Sequence, residues 1–241
     1  ETTNNYRAPT FDFNTPEGAA EALKNPNNAV RFLAYRRLEQ LGTAAVVALK
    51  NLWNDQNPRQ RARALWLLTS IPQVGDAILA QAVADKNPDI RITAIRAARR
   101  DGRDMLPIVR DLIADESPQV RRECLLALRH HPAPQAAELW ASLALAHDGK
   151  DPWYLEALGI AADGQWNRFF DAWLEKAGDD WQLPAGRDIV WRSRADKALP
   201  LLAELIKTSP PEEHPRYFRA FDFHTENPEM KKLALESLLQ K

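Results

Sequence analysis

A motif that returns every thirty residues constrains the fold of this chain more than any other feature of its sequence. Three copies read DQNPRQRARALWLL, DKNPDIRITAIRAA and DESPQVRRECLLAL, and they begin at Asp55, Asp85 and Asp115. A looser copy begins at Asn25. The arginines at the matching position of the four copies are Arg31, Arg61, Arg91 and Arg121. A fixed period of this length is typical of stacked helical pairs, so the sequence predicts an all-α fold built from such pairs.

Prolines and glycines mark where the helices of each pair begin and end. Pro58, Pro88 and Pro118 occupy the first turn of a helix, where the missing N–H has no partner to lose. Gly42 and Gly102 follow helix ends, where a left-handed residue closes the last turn. The pattern predicts helices at 16–24, 28–41, 43–54, 58–70, 72–84, 88–100, 102–114, 118–130, 133–147, 151–162 and 229–240.

The buried face of each repeat emerges when the copies are superposed. The third residue after the repeated arginine is always small, and the fourth and seventh are mostly large and apolar. Small side chains let neighbouring helices approach, and large ones fill the seam beside them. The small positions are Ala34, Ala64, Ala94 and Cys124. We therefore interpret Cys124 as a packed structural cysteine rather than a reactive one.

Composition and charge exclude several classes of site. No apolar run approaches the ~20 residues that span a bilayer, so the sequence predicts no membrane insertion in this segment. The net charge of −1 disfavours nucleic acid as a partner, because proteins that bind phosphate backbones usually carry a basic excess. The single cysteine excludes an internal disulfide, a Cys-based zinc site and a CxxCH haem attachment. We predict no cofactor and no metal in this segment.

The DxxPxVR pattern of the copies resembles the HEAT repeat family. This resemblance implies a right-handed α-solenoid of HEAT-like helical pairs, in which the turn aspartate and the arginine six residues later form a ladder between neighbouring repeats. The residues that match the ladder are Asp55, Arg61, Asp85, Arg91, Asp115, Arg121 and, after an asparagine instead of aspartate, Arg31. An arginine row can also track phosphates, but acidic partners that repeat in step with the arginines favour the structural ladder.

A second row of side chains is expected to point away from the seam, towards the groove of the solenoid. It comprises Arg36, Trp66 and Arg96. Residues 86–131, around the last of these, contain ten basic side chains against seven acidic ones. We interpret this surface as a solvated face, with a surface for an anion or a partner as the alternative.

The repeat loosens after His131, and the chain divides on this basis into three segments. Residues 1–15 precede the first helix, residues 16–147 form regular HEAT-like repeats, and residues 148–241 form divergent, Trp-rich repeats with a cap. Six of the eight tryptophans lie between residues 140 and 191. Tryptophan provides a large contact area with a polar group, so this third is a candidate binding face. For most of these tryptophans we favour a role in a thicker core.

Two blocks of this third, AGRDIVWRSRA from Ala185 and RYFRAFDFH from Arg216, combine charged and aromatic side chains. Helical spacing lets Asp188 pair with Arg192. A metal or acid–base role for His224 is less favoured than a structural one, because no second ligand lies at ligand spacing nearby. The candidate partner-binding residues of this third are Trp153, Tyr154, Arg187, Asp188, Trp191, Arg192, Tyr217, Arg219 and His224.

Three segments of the last third, DPWYLEALGIAADGQW, AGRDIVWRSRA and RYFRAFDFH, are similar to the HEAT-type region of the PVC-type haem-binding, membrane-bound dehydrogenase family. The segment FDFNTPEGAAEAL resembles the start of that region. Family members are large exported proteins that join a β-propeller of the glucose/sorbosone dehydrogenase type, this helical region and a cytochrome c domain. The resemblance implies that catalysis and haem lie in neighbouring domains, which this segment spaces or docks.

The resemblance also bears on location and completeness. It implies a periplasmic or exported protein, whereas the cytoplasm is the alternative without it. The chain begins at Glu1 and shows no signal-like segment, so we expect it to be a piece of a longer protein.

Three functions remain open at this point. The favoured one is a non-catalytic scaffold for protein–protein or interdomain contacts, because the sequence lacks a phosphate-binding glycine loop, GxSxG and HExxH. The second is a HEAT-like DNA glycosylase acting on damaged bases, with Trp66, Trp153, Trp191 and Asp188 as its candidate residues. The third is a module that binds a ligand or a sugar through the Trp-rich third, which requires exposed tryptophans.

Overall fold

The computed structural model describes residues 7–239, and the regular elements within that range are helices. The predicted all-α fold is confirmed. Contacts divide the chain into two compact units, the first ending at Arg103 and the second beginning at Asp104. The boundary predicted between residues 147 and 148 marks the point where the repeated motif becomes irregular in sequence. It stays a prediction.

The first unit is built from helical pairs. Its helices are α1 (Pro16–Leu23), α2 (Asn28–Leu41), α3 (Val46–Trp53), α4 (Pro58–Leu68), α5 (Gly75–Val83) and α6 (Pro88–Arg100), and a 3₁₀ turn at Gly42–Ala45 leads into α3. Each odd-numbered helix packs against the even-numbered helix that follows it. Helices α2, α4 and α6 also pack side by side, as the second helices of a solenoid do.

The second unit continues the alternation of helices. Its helices are α7 (Met105–Leu112), α8 (Pro118–Ala127), α9 (Gln135–Ala144), α10 (Pro152–Ala162), α11 (Trp166–Ala177), α12 (Pro184–Arg192), α13 (Ala198–Thr208), α14 (His214–Phe221) and α15 (Pro228–Glu236). Helices α7, α9 and α11 pack in one row, and α8, α10, α12 and α14 pack in another. Helix α13 packs against α12, α14 and α15, so these four helices share one end of the unit.

The repeated motif folds locally, before any packing is considered. The carboxylate of Asp85 accepts a hydrogen bond from the Asn87 N–H at 2.9 Å, which bends the chain into the next helix. The side chain of Asn87 then accepts from the Asp89 N–H at 2.8 Å and caps α6. Asp55 and Asn57 make the same two contacts at the start of α4. The motif therefore encodes a turn, a helix cap and a proline that begins the helix.

The predicted seam is buried. Ala34, Ala64, Ala94 and Cys124 are all fully inaccessible to solvent. Burial raises the pKa of the Cys124 thiol to about 12, so the group stays protonated and packs as a small apolar side chain.

Several helices begin later than the sequence predicts. The helix predicted from residue 102 begins at Met105, because Gly102 has a φ of 67° and the side chain of Asp104 accepts from the Leu106 N–H to cap α7. The helix predicted from residue 72 begins at Gly75. A Cβ at Gly75 would lie 2.3 Å from the Thr69 carbonyl oxygen, so this close approach of two backbones requires glycine.

Candidate functional site

A partly buried polar network in the second unit joins His147, Asp188 and Arg216. The Nε2 of His147 lies 3.2 Å from one carboxylate oxygen of Asp188, and the guanidinium of Arg216 donates to the other oxygen. Burial alone raises the pKa of Asp188, but the hydrogen bonds from His147 and Arg216 outweigh it, so this pKa lies below its ordinary value. Asp188 therefore stays charged and holds two helices and a loop together.

A histidine beside an aspartate is also the arrangement of a general base, so access decides its role. The side chain of His147 is only 1% exposed. Its ring stacks on Tyr154 with the centroids 6.1 Å apart, and its Nδ1 is buried without a hydrogen-bond partner among the described residues. Asp188 engages the Nε2 and the Tyr154 ring covers the imidazole, so His147 has a structural role in this arrangement. The network can fix the packing of α12 and α14, and it leaves Asp188 without a free carboxylate for the glycosylase hypothesis.

Two tyrosines predicted to bind a partner lie in the core instead, and both predictions are wrong. Tyr154 is 2% exposed, and its hydroxyl donates to the Leu143 carbonyl oxygen at 2.9 Å. Tyr217 is also buried, and its hydroxyl donates to the Glu213 carboxylate at 2.8 Å. Burial, followed by the hydrogen bond to Glu213, raises the pKa of Tyr217. Burial of a large aromatic side chain on an inward helical face stabilises the folded chain more than its exposure would.

The expected pair of Asp188 with Arg192 is also wrong. Arg192 lies 3.1 Å from the Glu156 carboxylate instead, which joins α12 to α10. The guanidinium packs against Gly159, where a Cβ would lie 2.3 Å from Arg192 Cζ. Gly159 in α10 therefore provides the space that the Arg192 head group occupies.

The other candidates of AGRDIVWRSRA are partly engaged in internal contacts. Trp191 is half-buried, and the guanidinium of Arg216 lies over its ring at 4.6 Å. Arg187 donates to the Gln182 carbonyl oxygen at 2.6 Å and lies 3.7 Å from the Glu213 carboxylate. These side chains stabilise the packing of α12 against α14. Only their solvent-exposed atoms can contact a partner.

The tryptophans of the last third differ in exposure. Trp140 packs against Phe169 and Trp173 packs against Phe170, and both tryptophans are buried, as is Trp181. Trp166 and Trp191 are half-buried. Trp153, by contrast, is 71% exposed at the start of α10. Trp153 is thus the one predicted aromatic candidate of this third that the described surface leaves open.

The predicted groove row contains three different environments. Arg36 is exposed and pairs with Glu39 one turn later. Trp66 is half-buried, with the guanidinium of Arg100 5.0 Å from its ring centroid. Arg96 is exposed, as is Arg219 in the second unit. The three arginines lie on the surface, where a partner could contact them. Their role in binding a partner stays a prediction.

Arg61 makes the inter-repeat contact that the HEAT resemblance implies. Its guanidinium donates to the carboxylate of Asp85, which belongs to the next repeat. Its Nε donates to the Trp53 carbonyl oxygen at 3.1 Å, and its Cζ lies 4.6 Å from the centroid of the Trp53 ring. The Arg61 contacts hold two successive turns of the first unit together.

The other arginines of the ladder also cap their own turns. Arg31 donates to the Asn25 carbonyl oxygen at 2.9 Å, and Arg91 donates to the Asp85 carbonyl oxygen at 2.7 Å. Arg121 donates in the same way to the carbonyl of Asp115. Asp55 makes no ion pair within residues 7–239. Arg31, Arg91 and Arg121 therefore close the loops that precede them, and Arg61 forms an ion pair with the next repeat.

His224 is buried at the end of α14 and lines a polar pocket of about 550 Å³. Burial, followed by the positive charge of Arg194, lowers the pKa of His224 to about 4, so the ring is neutral at pH 7. Arg194 donates to the Arg192 and Ser193 carbonyl oxygens at 3.0 and 2.8 Å, and it stacks on Phe223 at 4.4 Å. The sequence identified His224 but not Arg194 or the pocket, because the lining comes from three separate segments.

An apolar groove of about 840 Å³ lies between α13, α14 and α15. Its floor is formed by Ile206, Phe218, Leu235, Leu238 and Leu239. Three lysines also line it, and they are Lys207, Lys231 and Lys232, against the single carboxylate of Glu236. Sequence analysis missed this groove, although the Leu-rich period of the last helix was a signal for it.

Comparison with known proteins now adds to these observations. Residues 75–158 match the family model of HEAT repeats. Residues 75–158 are therefore a HEAT-repeat region. A search of the curated proteins found no match, so the resemblance to the dehydrogenase family has no further support. The HEAT match covers α5 to most of α10, where the motif and its first departures lie.

Residues 7–239 contain no group of three or more His, Cys, Asp or Glu side chains that could hold a metal ion. None of the helices in that range is both long and apolar enough to cross a bilayer.

Proposed function

We propose that this chain is a non-catalytic HEAT scaffold that binds a partner protein, and that its apolar groove receives an acidic amphipathic helix. HEAT repeats commonly form helical scaffolds for protein interactions, and this chain contains them. The single observation that carries the proposal is the groove between α13, α14 and α15, with its apolar floor and its rim of lysines.

The apolar surface of this groove supports a helix as its occupant. Leu239 is 84% exposed, and Phe218 is also exposed. Apolar side chains that are gathered in one exposed groove mark a binding surface more often than scattered ones do. A cleft between helices accepts an amphipathic helix that inserts residues at helical spacing.

The charge of the rim supports an acidic partner. The three lysines and Glu236 leave a formal excess of two positive charges around the groove. Lys232 lies 3.9 Å from Glu236, whereas Lys207 and Lys231 form no ion pair within residues 7–239. Complementary charges at a rim speed association and select the partner. Glutamates beside the apolar face of a bound helix would meet these lysines.

The absence of catalysis in this segment is part of the proposal. Three side chains of types that often take part in catalysis have structural contacts instead. His147 is buried, Asp188 is paired, and the Cys124 thiol has a pKa of about 12. Each of these groups stabilises the packing of helices.

A designed peptide pair tests the groove. The probe is a labelled synthetic helix with leucines at helical spacing flanked by glutamates, and the control is the same helix flanked by lysines. We expect the acidic peptide to bind with an affinity that falls with salt, and the basic peptide to bind at least about tenfold more weakly. Fluorescence anisotropy measures both. Equal binding of the two peptides, or none, contradicts the proposal.

Two matched leucines localise the binding. Leu239→Asp places a charge in the groove, whereas Leu233→Asp alters a leucine of α15 that is 65% exposed and lines a separate cavity. We expect Leu239→Asp to weaken the acidic peptide about tenfold and Leu233→Asp to change it less than about twofold. A concentration-dependent dimer that only Leu239→Asp abolishes, seen by analytical ultracentrifugation, would replace the helix by a second copy as occupant.

We further infer that this scaffold is a region of a larger exported redox protein. The support is the similarity of the segments at 151–166, 185–195 and 216–224 to the helical region of the dehydrogenase family. The full-length gene product tests this inference. A β-propeller and a CxxCH motif on either side of the helical region are the expected result, and a protein without both would contradict it.

A further inference from the structure

The polar pocket around His224 is distinct from the apolar groove and is built by three segments of the second unit. These are the turn before α11, the turn after α12, and the segment between α14 and α15. Its volume of about 550 Å³ lies within the range of pockets that hold small ligands, ~300–1,000 Å³. Most of its lining is polar, unlike the groove.

Two buried polar side chains that line this pocket lack partners. His224 is 5% exposed, and its Nε2 has no hydrogen-bond partner among the described residues. The Nε2 of Gln165 is buried and unpartnered in the same way, while the Oε1 of Gln165 accepts from Arg168. Folded proteins pair nearly all of their buried polar atoms, so two exceptions in one pocket point to a ligand that pairs them.

The first turn of α11 adds further donors to the same pocket. Gln165 is the N-cap of this 12-residue helix, and its side chain makes no capping hydrogen bond. Trp166 and Asn167 in that first turn line the pocket. The first N–H groups of a helix have no partner within the helix, so they are available to an acceptor oxygen.

The charges of the lining disfavour an ion as the ligand. Arg168 and Arg194 face the pocket together with Asp163, Asp196 and Glu226, which leaves a formal charge of −1. An anion would meet the three carboxylates, and a cation would meet the two guanidinium groups. A neutral ligand avoids both costs.

The lining contains hydrogen-bond donors and acceptors in similar measure. Gln165 and the α11 amides donate, whereas the carboxylates of Asp196 and Glu226 accept. A hydroxyl group can both donate and accept, so a ligand with several hydroxyls satisfies both kinds of group at once. The rings of Trp166 and Phe223, which also line the pocket, offer an apolar surface to the C–H face of a sugar ring.

We propose that this pocket binds a neutral saccharide of one or two rings, held by Gln165, His224, Glu226 and the first turn of α11. The neutral His224 ring hydrogen-bonds a hydroxyl through its Nε2, and Gln165 donates to another. The site does not depend on the proposed groove, since different residues build it.

The experiment uses neutral sugars as the probes. Glucose, galactose, mannose, N-acetylglucosamine, maltose and cellobiose are titrated into the ¹⁵N-labelled chain, and amide shifts are followed by NMR. We expect at least one sugar to bind saturably with a Kd of about 1 mM or tighter and to shift amides of residues 163–168 and 223–227. No saturable shift at these residues for any of the six sugars would overturn the proposal, as would saturation by inorganic phosphate or acetate at the same amides.

Variants separate the site from the fold. Glu226→Ala changes an exposed lining residue, and Glu229→Ala changes an exposed glutamate of α15 outside the lining. We expect Glu226→Ala to weaken sugar binding about fivefold or more and Glu229→Ala to leave it within about twofold. His224→Gln keeps a hydrogen-bonding group and is expected to retain binding, whereas His224→Phe is expected to lose it. Equal affinities for all four variants would contradict the assignment, and Leu239→Asp should leave sugar binding unchanged whether or not the groove binds a helix.

Discussion

Arg61 in the first unit and Arg121 in the second occupy the same position of the repeat but meet different neighbours. Arg61 pairs with the turn carboxylate of the next repeat, Asp85. Arg121 lies 5.7 Å from the ring of Tyr154, which stands where the next repeat would place its arginine. In the first unit, charge therefore joins adjacent turns. In the second unit, the buried aromatic ring of Tyr154 lies beside Arg121 instead.

This difference changes where the ion pairs of the two units lie. The Arg61–Asp85 pair spans 24 residues, which is less than one repeat. Three pairs of the second unit span 41 residues from His147 to Asp188, 36 from Glu156 to Arg192 and 28 from Asp188 to Arg216, and the first two of these exceed one repeat. Regular repeats can be stabilised by nearest neighbours alone. The irregular end of this chain adds the network of His147, Asp188 and Arg216 to contacts between neighbouring repeats, and four substitutions compare the two units.

We expect the largest effect from Asp188→Ala. This change leaves Arg216 unpaired and the buried His147 without its partner, and breaking such a buried pair costs about 3 kcal/mol. Urea unfolding measures the loss, and hydrogen exchange should locate it in the second unit, with protection of α1 to α6 retained. Asp171→Ala is the matched control, because its pair with Lys197 is exposed and should contribute less than about 0.5 kcal/mol. Equal effects of the two changes would refute a special role for the network.

The second prediction concerns pH and His224. The folded-state pKa of about 4 lies below the ordinary value of 6.5, so the unfolded chain binds the proton more tightly. Stability from the neutral ring is thus fully present above pH 6.5 and is lost as pH falls towards 4. Arg194 and Lys231 disfavour the charged ring, and Asp196 favours it.

At pH 5 this loss amounts to about 2 kcal/mol, at about 1.4 kcal/mol for each pH unit below 6.5. Thermal or urea unfolding at pH 7 and pH 5 measures it. His224→Gln, which does not titrate, should lose about 2 kcal/mol less than the parent over this interval. His130→Gln is the control, because it removes a histidine whose side chain is 60% exposed.

The contacts between residues that are close in the chain were predictable from the sequence. Asp85 bends the turn, Asn87 caps the helix and Pro88 begins it, and each of these roles follows from the chemistry of one residue and its near neighbours. The small seam positions, including Ala94 and Cys124, were likewise predictable, because the repeat superposes them.

The long-range part was not predictable from one sequence. Helical spacing suggested that Asp188 pairs with Arg192 one turn later, whereas tertiary packing brings Glu156 to Arg192. Tyr154 was a candidate partner-binding residue, but its aromatic ring is buried in the slot where the repeat places an arginine. The polar pocket joins three segments that no sequence period relates to one another.

The third prediction compares two tyrosine hydroxyls. Tyr154→Phe removes the hydrogen bond to the Leu143 carbonyl oxygen, which keeps only the Ala146 N–H as its donor, and this loss should destabilise the second unit by about 1 kcal/mol. Tyr35→Phe in the first unit removes a hydroxyl that accepts from Arg100 at an exposed position, so its effect should stay below about 0.5 kcal/mol. Urea unfolding of both variants measures the difference. A larger effect at Tyr35 would reverse the comparison.

The smallest effect is expected at the ladder of the first unit. Asp85→Asn keeps a side-chain oxygen that accepts from the Asn87 N–H, but it removes the charge that faces Arg61. Both partners are partly exposed, so we expect a loss of about 0.5–1 kcal/mol that shrinks in high salt. Asp55→Asn is the matched control, since Asp55 caps the same kind of turn without an ion pair in the described part of the chain.

The pair of variants also carries a pH test. Burial raises the pKa of Asp85, but the hydrogen bonds from Arg61 and the Asn87 amide lower it by more than burial raises it. The pKa of Asp85 in the folded chain therefore lies below 3.8. The carboxylate therefore contributes stability above pH 3.8, and that contribution is lost as pH falls through the folded pKa. Asp85→Asn should converge with the parent in acid and differ from it at pH 7. A constant gap across this range would mean that the turn, rather than the cross-repeat ion pair, is what Asp85 provides.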